Sequence, residues 1–301
     1  MAWLFEITIF GYLIFAGALL IDMLTSWKRF CRKPVVMSIG LVLLAGWVTI
    51  FYGSFIEPRT LVVRTQEIIL DETPEASVRV AVVADLHLGP YKDEAWTQKV
   101  VDQTMQLQAE VIVLPGDFIF SKVNQVRFLE PLEGLEAPLG VYAVTGNHDY
   151  LDDAQQEVIE TLTRLGITVL ENESVQLDIQ GRFITLAGVS DIWFAGQPQE
   201  TMEGLTEEQT VILLSHNPDA ILYSSVGVAD LVIAGHTHGG QIRLPWIGSL
   251  AQVPTKLGND YDKGLFTYGR QQLFITAGLG ETGPRARLFN PPEINLLTVR
   301  Y

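Results

Sequence analysis

The stretch AGHTHGGQ, residues 234–241, sets two histidines one residue apart between glycines, directly behind the apolar run DLVI. Four further clusters precede it: Asp85 and His87 in ADLHLG, Gly116 and Asp117 in PGDF, Asn147, His148 and Asp149 in TGNHDY, and His216 in LSHNPD. The chain has five histidines and all five lie in these clusters. A lone histidine is more often a hydrogen-bonded core or surface residue than a ligand, but five placed alike behind apolar runs point to one metal-binding constellation. In an extended segment residues i and i+2 face the same way with Cα atoms roughly 6.5 Å apart, so each pair, Asp85 with His87 and His236 with His238, can aim at one spot. Two metals about 3.5–4 Å apart suit that presentation better than one. Imidazole and carboxylate without thiolate favour Mn²⁺, Fe or Zn²⁺ at a catalytic centre over a structural zinc. Gly116, Gly146, Gly235, Gly239 and Gly240 let the backbone turn tightly and admit a metal or an anion.

Such clusters need strands to carry them. Short β-branched runs recur, each ending where polar residues begin: VRVAVVAD, AEVIVLPGD, GVYAVTGNHD, FITLAGVSD, TVILLSHNPD, ADLVIAGHTH and QLFITAGLG. Unbroken apolar runs of this length read as strands buried on both faces, and open α/β sheets bind ligands beyond the carboxyl ends of their strands. Two helical patterns intervene. DEAWTQKVVDQTMQL spaces Trp96, Val100, Val101 and Leu107 along one face, and DDAQQEVIETLTRLG opens on Asp152 or Asp153 as a cap and closes on Gly166. Helical stretches thin out later, so an α/β half followed by a strand-rich half is expected.

The 301 residues suit one large domain or two small ones. The composition is 48% hydrophobic and the mean hydropathy +0.23, an excess concentrated in the first fifty residues. Residues 3–21 and 35–53 are apolar stretches near the roughly 20 residues that cross a bilayer. The first carries only Glu6 and the second no charge; soluble core helices rarely stay apolar on every face for so long. No basic segment precedes the first run, which argues against a cleaved signal peptide. Between them Lys28, Arg29, Arg32 and Lys33 stand against Asp22, so the loop is expected in the cytoplasm and the rest of the chain outside it, although Arg59 and Arg64 reduce the asymmetry. The expected division is a transmembrane hairpin over 1–53, a tether over 54–75 running into an edge strand, and a catalytic domain over 76–301. Cys31 is the only cysteine, so no disulfide forms within the chain. Net charge is −15; residues 1–53 hold four basic and two acidic side chains, which leaves −17 for the remainder. That surface excludes a nucleic-acid backbone as partner and leaves a small-molecule or lipid phosphate, provided bound cations reverse the local field.

Taken in order, the clusters resemble the calcineurin-like metallophosphoesterase superfamily, whose pattern is Asp-x-His, Gly-Asp, Gly-Asn-His-Asp/Glu, a separate His and Gly-His-x-His. GHTHGGQIRLP and GLGETGPRARLFNPPEI are similar to its bacterial membrane-associated or exported phosphodiesterase branch, which extends the likeness over residues 55–301. The resemblance implies an α/β fold, a four-layer α/β/β/α sandwich behind the hairpin, and two divalent ions, Mn²⁺, Fe or Zn²⁺. It implies that Asp85, His87 and His238 hold one ion, Asn147, His216 and His236 the other, and that Asp117 bridges them. It also implies that His148 stabilises or protonates the leaving oxygen with Asp149 orienting its ring. One position departs: many members read Gly-Asp-x-x-Asp where this chain has GDFIF, with Phe120 last. The activity implied is hydrolysis of a phosphodiester or pyrophosphate bond by metal-activated hydroxide. Two alternatives are a UDP-2,3-diacylglucosamine pyrophosphatase of lipid A synthesis, which needs the domain at the cytoplasmic face, and a non-catalytic metal-binding scaffold. Asp191, Tyr150, Trp193 and Phe194 either line the substrate side or pack; Arg243, Arg285 and Arg287 either meet phosphate or are solvated.

Overall fold

Residues 2–301 are described by a computed structural model. The chain opens on α1 (Ala2–Thr25), a short α2 (Trp27–Phe30) and α3 (Pro34–Phe51). α1 and α3 lie antiparallel, tied where Trp47 Nε1 donates to the Leu13 carbonyl at 2.9 Å. α3 does not stop at Phe51: a π turn over Tyr52–Ile56 and a 3₁₀ turn over Glu57–Arg59 prolong it. Two apolar helices result, Trp3–Thr25 and Pro34–Arg59, each of mean hydropathy 2.2, long enough to cross a bilayer, and only 6% buried. That exposure separates them from core helices, whose apolar faces are covered.

Two six-stranded sheets follow. The first comprises β1 (Val62–Ile69), β2 (Ser77–Val82), β3 (Val111–Pro115), β4 (Val141–Val144), β5 (Thr168–Val169) and, from the far end of the chain, β14 (Glu293–Arg300), in the order β1-β14-β2-β3-β4-β5. The second comprises β6 (Glu173–Ile179), β7 (Arg182–Val189), β8 (Thr210–Ser215), β9 (Leu231–Ala234), β12 (Gly264–Tyr268) and β13 (Gln271–Ile275), in the order β12-β13-β9-β8-β7-β6. A two-stranded ribbon, β10 (Arg243–Leu244) and β11 (Gly248–Ser249), stands apart. Val80, Val82 and Val113 of the first sheet meet Ile184, Leu186, Ile212 and Ile233 of the second. Each such side chain contributes about 1.5–3 kcal/mol on burial. α4 (Glu94–Gln106) and α5 (Gln155–Arg164) cover the outer face of the first sheet through Val100, Val101, Val158 and Leu162. The outer face of the second is covered by α6 (Pro198–Thr201) and 3₁₀ turns carrying Ala220, Ile221 and Val226. The architecture is the expected four-layer α/β/β/α sandwich, with a thin fourth layer.

Local signals act unevenly. Asp93 caps α4 by accepting from Trp96 N at 3.3 Å, and the buried Trp96, Val100, Val101 and Thr104 supply its inner face. α5 closes at Gly166 (φ +84), but neither Asp152 nor Asp153 caps its start. Both are left-handed (φ 59 and 54), and Asp152 accepts instead from Lys122 Nζ at 3.1 Å and Val123 N at 3.2 Å.

The stretch 54–75 is not a loose tether. Glu57 and Pro58 are buried; Asn290 N donates to Glu57, Lys92 Nζ donates to the Pro58 carbonyl, and Arg287 N donates to the Gly53 carbonyl at 2.8 Å. β1 then pairs with β14 in parallel over its whole length. β14 runs antiparallel to β2, with Asn295 opposite Val82. The carboxyl end of β2 therefore lies at the same end of the sheet as Val62 and the N-terminal helices.

Candidate metal centre

The polar clusters sit just past the carboxyl ends of β2, β3, β4, β8 and β9, where the chain leaves each sheet. Two groups of ligand atoms gather there: Asp85, His87, Asp117 and His238, and Asp117, His216 and His236. Asp117 belongs to both. Its Oδ2 lies 3.2 Å from His87 Nε2 and 3.3 Å from His216 Nε2, while its Oδ1 accepts from His148 N at 2.8 Å. His87 and His238 approach at 3.0 Å between Nε2 atoms, and His216 Nε2 lies 3.0 Å from His236 Nδ1 and 3.1 Å from Asn147 Oδ1. His216 Nδ1 is fixed by the Pro115 carbonyl at 2.9 Å. All seven residues expected as metal positions thus converge.

They do not converge by the extended geometry that their spacing suggests. Asp85, His87, Asp117, His236 and His238 are all left-handed, with φ of 53, 44, 56, 71 and 52°. That conformation costs L-residues roughly 1–2 kcal/mol each and persists only where the surroundings enforce it. Here the enforcement is close packing of turns. A Cβ on Gly116 (φ +81) would lie 2.6 Å from Gly146 N, and one on Gly146 would collide with the Asp117 carboxylate.

Electrostatics prepare the group for cations. Burial lifts Asp85 to about 7 against the pull of His216. Burial also lowers His87 to about 4 and, together with the charge of His216, His236 to about 3. Burial opposes charge on His216 as well, but Asp117 outweighs it and raises that ring to about 10; reciprocally, His216 and His87 hold Asp117 well below the carboxylate range despite its burial. Asp85 Oδ2, His87 Nδ1, His236 Nε2 and His238 Nδ1 are buried without a hydrogen-bond partner among the described residues. Facing imidazole nitrogens at 3.0 Å, the neutral rings of His87, His236 and His238, and the unpaired Asp85 oxygen form, with the Asp117 carboxylate that a cation would share with His216, a donor set that fits two divalent cations.

The half-buried His148 borders this group, its ring edge-on to His87 at 4.5 Å. Its Nδ1 meets the Phe120 carbonyl at 2.5 Å, so backbone at the departing position does the orienting expected of Asp149. Asp149 faces away. Fully buried, it accepts from Asp117 N, Phe118 N, Ile119 N and Gly146 N at 3.0, 2.8, 3.3 and 2.9 Å and braces the loops that carry the ligands. Trp193 stands edge-on to His236 at 4.6 Å, and Phe194 stacks on Tyr150 at 4.6 Å. Asp191 accepts from Trp193 N at 2.9 Å and so holds this aromatic turn in place.

None of the three candidate arginines faces the centre as a free phosphate ligand. Arg243 pairs with Asp262, and Arg285 with Glu6 of α1 at 3.3 Å. Arg287 is wholly buried, donating to the carbonyls of Ala277 and Gly280 at 2.9 and 2.5 Å. Residues not signalled by the clusters hold the site from behind: Asn290 Nδ2 donates to the His238 carbonyl at 2.7 Å, and Gly278 packs on Asp85. The segment GLGETGPRARLFN carried a likeness of sequence but no sign that its asparagine would reach a histidine some fifty residues earlier.

A family model described as calcineurin-like phosphoesterase matches residues 78–240, which include every residue of both ligand groups. A Caenorhabditis elegans protein described as a metallophosphoesterase is 30% identical over an alignment of 292 positions that covers 91% of this chain and 59% of that one. A Danio rerio protein described as a transmembrane protein with a metallophosphoesterase domain is 28% identical over an alignment of 314 positions that covers 99% of this chain and 70% of the relative. The UDP-2,3-diacylglucosamine pyrophosphatase LpxG of Chlamydia muridarum is 28% identical over an alignment of 278 positions that covers 74% of this chain and 84% of that enzyme.

Proposed function

The chain belongs to the calcineurin-like phosphoesterase family, and from this we propose that it is a membrane-tethered hydrolase with two metal ions that cleaves a phosphodiester or pyrophosphate bond in a small-molecule or lipid phosphate ester. The observation that carries the reading is Asp117 Oδ2, within 3.2 and 3.3 Å of histidines from the two ligand groups. Asp85, His87, Asp117 and His238 would hold one divalent ion, and Asp117, Asn147, His216 and His236 the other. Bound ions of this kind supply the positive charge that acidifies a water and draws electron density from phosphoryl oxygens. The protein's own groups do the rest. Because the Phe120 carbonyl occupies Nδ1 of His148, Nε2 is the atom left to hand a proton to the departing oxygen. Exposed Trp193 and Phe194 offer flat apolar surface to the organic part of the substrate.

The two N-terminal helices would each cross the bilayer, with Lys28, Arg29, Arg32 and Lys33 on the cytoplasmic side. Glu6 pairs with Arg285 and the Gly53 carbonyl accepts from Arg287 N, so the two ends of the hairpin remote from the basic loop both meet the catalytic domain. With the basic loop in the cytoplasm, this arrangement supports a domain on the opposite side of the membrane. A second reading, hydrolysis of a UDP-linked acylated glucosamine at the cytoplasmic face, is favoured by the Chlamydia relative. The two readings part on topology: a reporter fused after Tyr301 that works only inside the cell would remain silent under the first and be active under the second.

Turnover by the full chain in detergent, with each candidate metal, of an aryl phosphomonoester, an aryl phosphodiester, a lipid pyrophosphate and the UDP-lipid tests the activity. The diester or a pyrophosphate should be cleaved, with dependence on added metal. Failure on all four, with two metals bound, would refute the proposal.

A further inference from the structure

The β10–β11 ribbon displays Trp246 fully to solvent, at 103% exposure, with Ile247 at 70%. Leu250 and Phe289 beside it are also exposed, and residues 244–250, LPWIGSL, contain no charge. The ribbon is anchored at its root: Arg243 pairs with Asp262 and donates to the Gly239 carbonyl at 3.1 Å. An apolar tip held out on a fixed root is a contact surface rather than a slack loop.

Its place in the fold indicates what it contacts. Arg243 N donates to the Leu288 carbonyl at 2.9 Å, and Leu288 N to the Gln241 carbonyl at 3.0 Å. The preceding residue, Arg287, bonds to Gly53 at the end of the second long helix, and a Cβ on Gly53 would lie 3.8 Å from Leu288 Cδ1. The ribbon therefore leaves the domain beside the N-terminal helices, at the metal end of the sheets. Behind it a cavity of about 410 Å³, lined by Ile242, Leu250, Val253 and Pro254, ends on His236 and His238. An apolar passage thus joins the ribbon to the metal ligands.

We propose that the 244–250 ribbon is a third membrane contact: its Trp246–Ile247 tip lies in the bilayer interface beside the two spans, and the groove behind it takes the hydrocarbon part of a membrane-resident phosphate ester. Tryptophan favours that interface, where an apolar body meets a polar boundary. The occupant is lipid rather than a second copy of the chain because the tip adjoins helices that would themselves sit in lipid. The inference rests on the membrane-spanning phosphoesterase reading above.

The test uses the full chain with Cys31→Ser, labelled with an environment-sensitive fluorophore at Trp246→Cys, in phosphatidylcholine–phosphatidylglycerol vesicles. Matching labels go at Leu41→Cys, mid-helix in α3, and at Phe183→Cys. Phe183 adjoins Arg182, whose partner Glu75 lies at the opposite sheet end, about 23 Å away along β14. The 246 label should be blue-shifted and quenched by nitroxide lipids, the 41 label more deeply buried, and the 183 label aqueous. A 246 label as wet as the 183 label, with the 41 label in lipid, overturns the proposal alone; so does a shielded 246 label that nitroxide lipids do not quench, which would mean a second copy covers the tip. An aqueous 41 label overturns the membrane reading along with it. In the double variant Trp246→Ser, Ile247→Ser, the ratio of kcat/KM for a long-chain diester in vesicles to that for a short soluble diester should fall about tenfold. An unchanged ratio removes the groove's role, whereas absence of turnover by the parent chain on all four substrates named above, with two metals bound, refutes the phosphoesterase reading separately.

Discussion

A Cβ placed on Gly278 would lie 2.5 Å from Oδ2 of Asp85, the unpaired oxygen of that carboxylate. Gly278 is also left-handed (φ +64), so it serves the site twice, by its backbone and by its missing side chain. Gly278→Ala should displace Asp85 and lower affinity for one of the two metals about 10- to 100-fold, as disturbance around metal ligands commonly does. Metal content per chain by mass spectrometry, at limiting metal, checks this; two full equivalents in the variant would refute it.

Metal removal should destabilise the protein without changing its fold. Ligands that bind the native state alone add RT ln(1 + [L]/Kd) per site, about 2.7 kcal/mol at a hundredfold excess over Kd. For a domain of this size each kilocalorie moves Tm by about 2–4 °C. A chelated sample should melt several degrees lower, and the difference should grow with added Mn²⁺. A melting point indifferent to metal would count against the centre.

His148→Gln should lower kcat about 100- to 10,000-fold, the range for loss of a general acid, while leaving both metals bound. The ligand groups are complete without its ring. The loss should shrink for a substrate whose leaving group is a nitrophenolate, which departs without needing a proton. An equal loss for good and poor leaving groups would exclude proton donation.

Asp149→Ala is expected to act on stability. It leaves the four backbone N–H groups of Asp117, Phe118, Ile119 and Gly146 without their shared acceptor. Hydrogen bonds to a buried carboxylate contribute about 1.5–3 kcal/mol each, so a loss of at least about 3 kcal/mol is expected in chemical denaturation. A variant with wild-type stability and impaired catalysis alone would restore the ring-orienting role.

The candidate ligands were legible because side-chain identity concentrates at strand ends: five histidines behind four apolar runs leave little else for them to do. The buried strands followed from the same runs, which are apolar on both faces because each sheet is covered on both; their stacking into a four-layer sandwich came from the resemblance alone. Three things were hidden. The left-handed backbone of His236 and its fellow ligands is imposed by neighbouring turns, not by residue type. The pairing of β1 with β14 joins residues more than two hundred positions apart, and the largely exposed β1 reads as an edge strand without showing which strand it joins. The capping aspartates misled because Asp152 finds Lys122 and Val123 across a loop, a partnership that only tertiary packing creates.

The clamp of Gly53, Glu57 and Pro58 onto Arg287, Asn290 and Lys92 leaves no slack between helix and centre. With its helices in a bilayer, as proposed, the centre would be held at a constant height and would patrol a plane. Its encounters with a membrane-resident substrate would then be governed by lateral diffusion, and its velocity should follow the mole fraction of that substrate in the bilayer rather than its amount in the suspension. Diluting the substrate with inert lipid at fixed total substrate should slow it, as it would not slow an enzyme free to leave the surface.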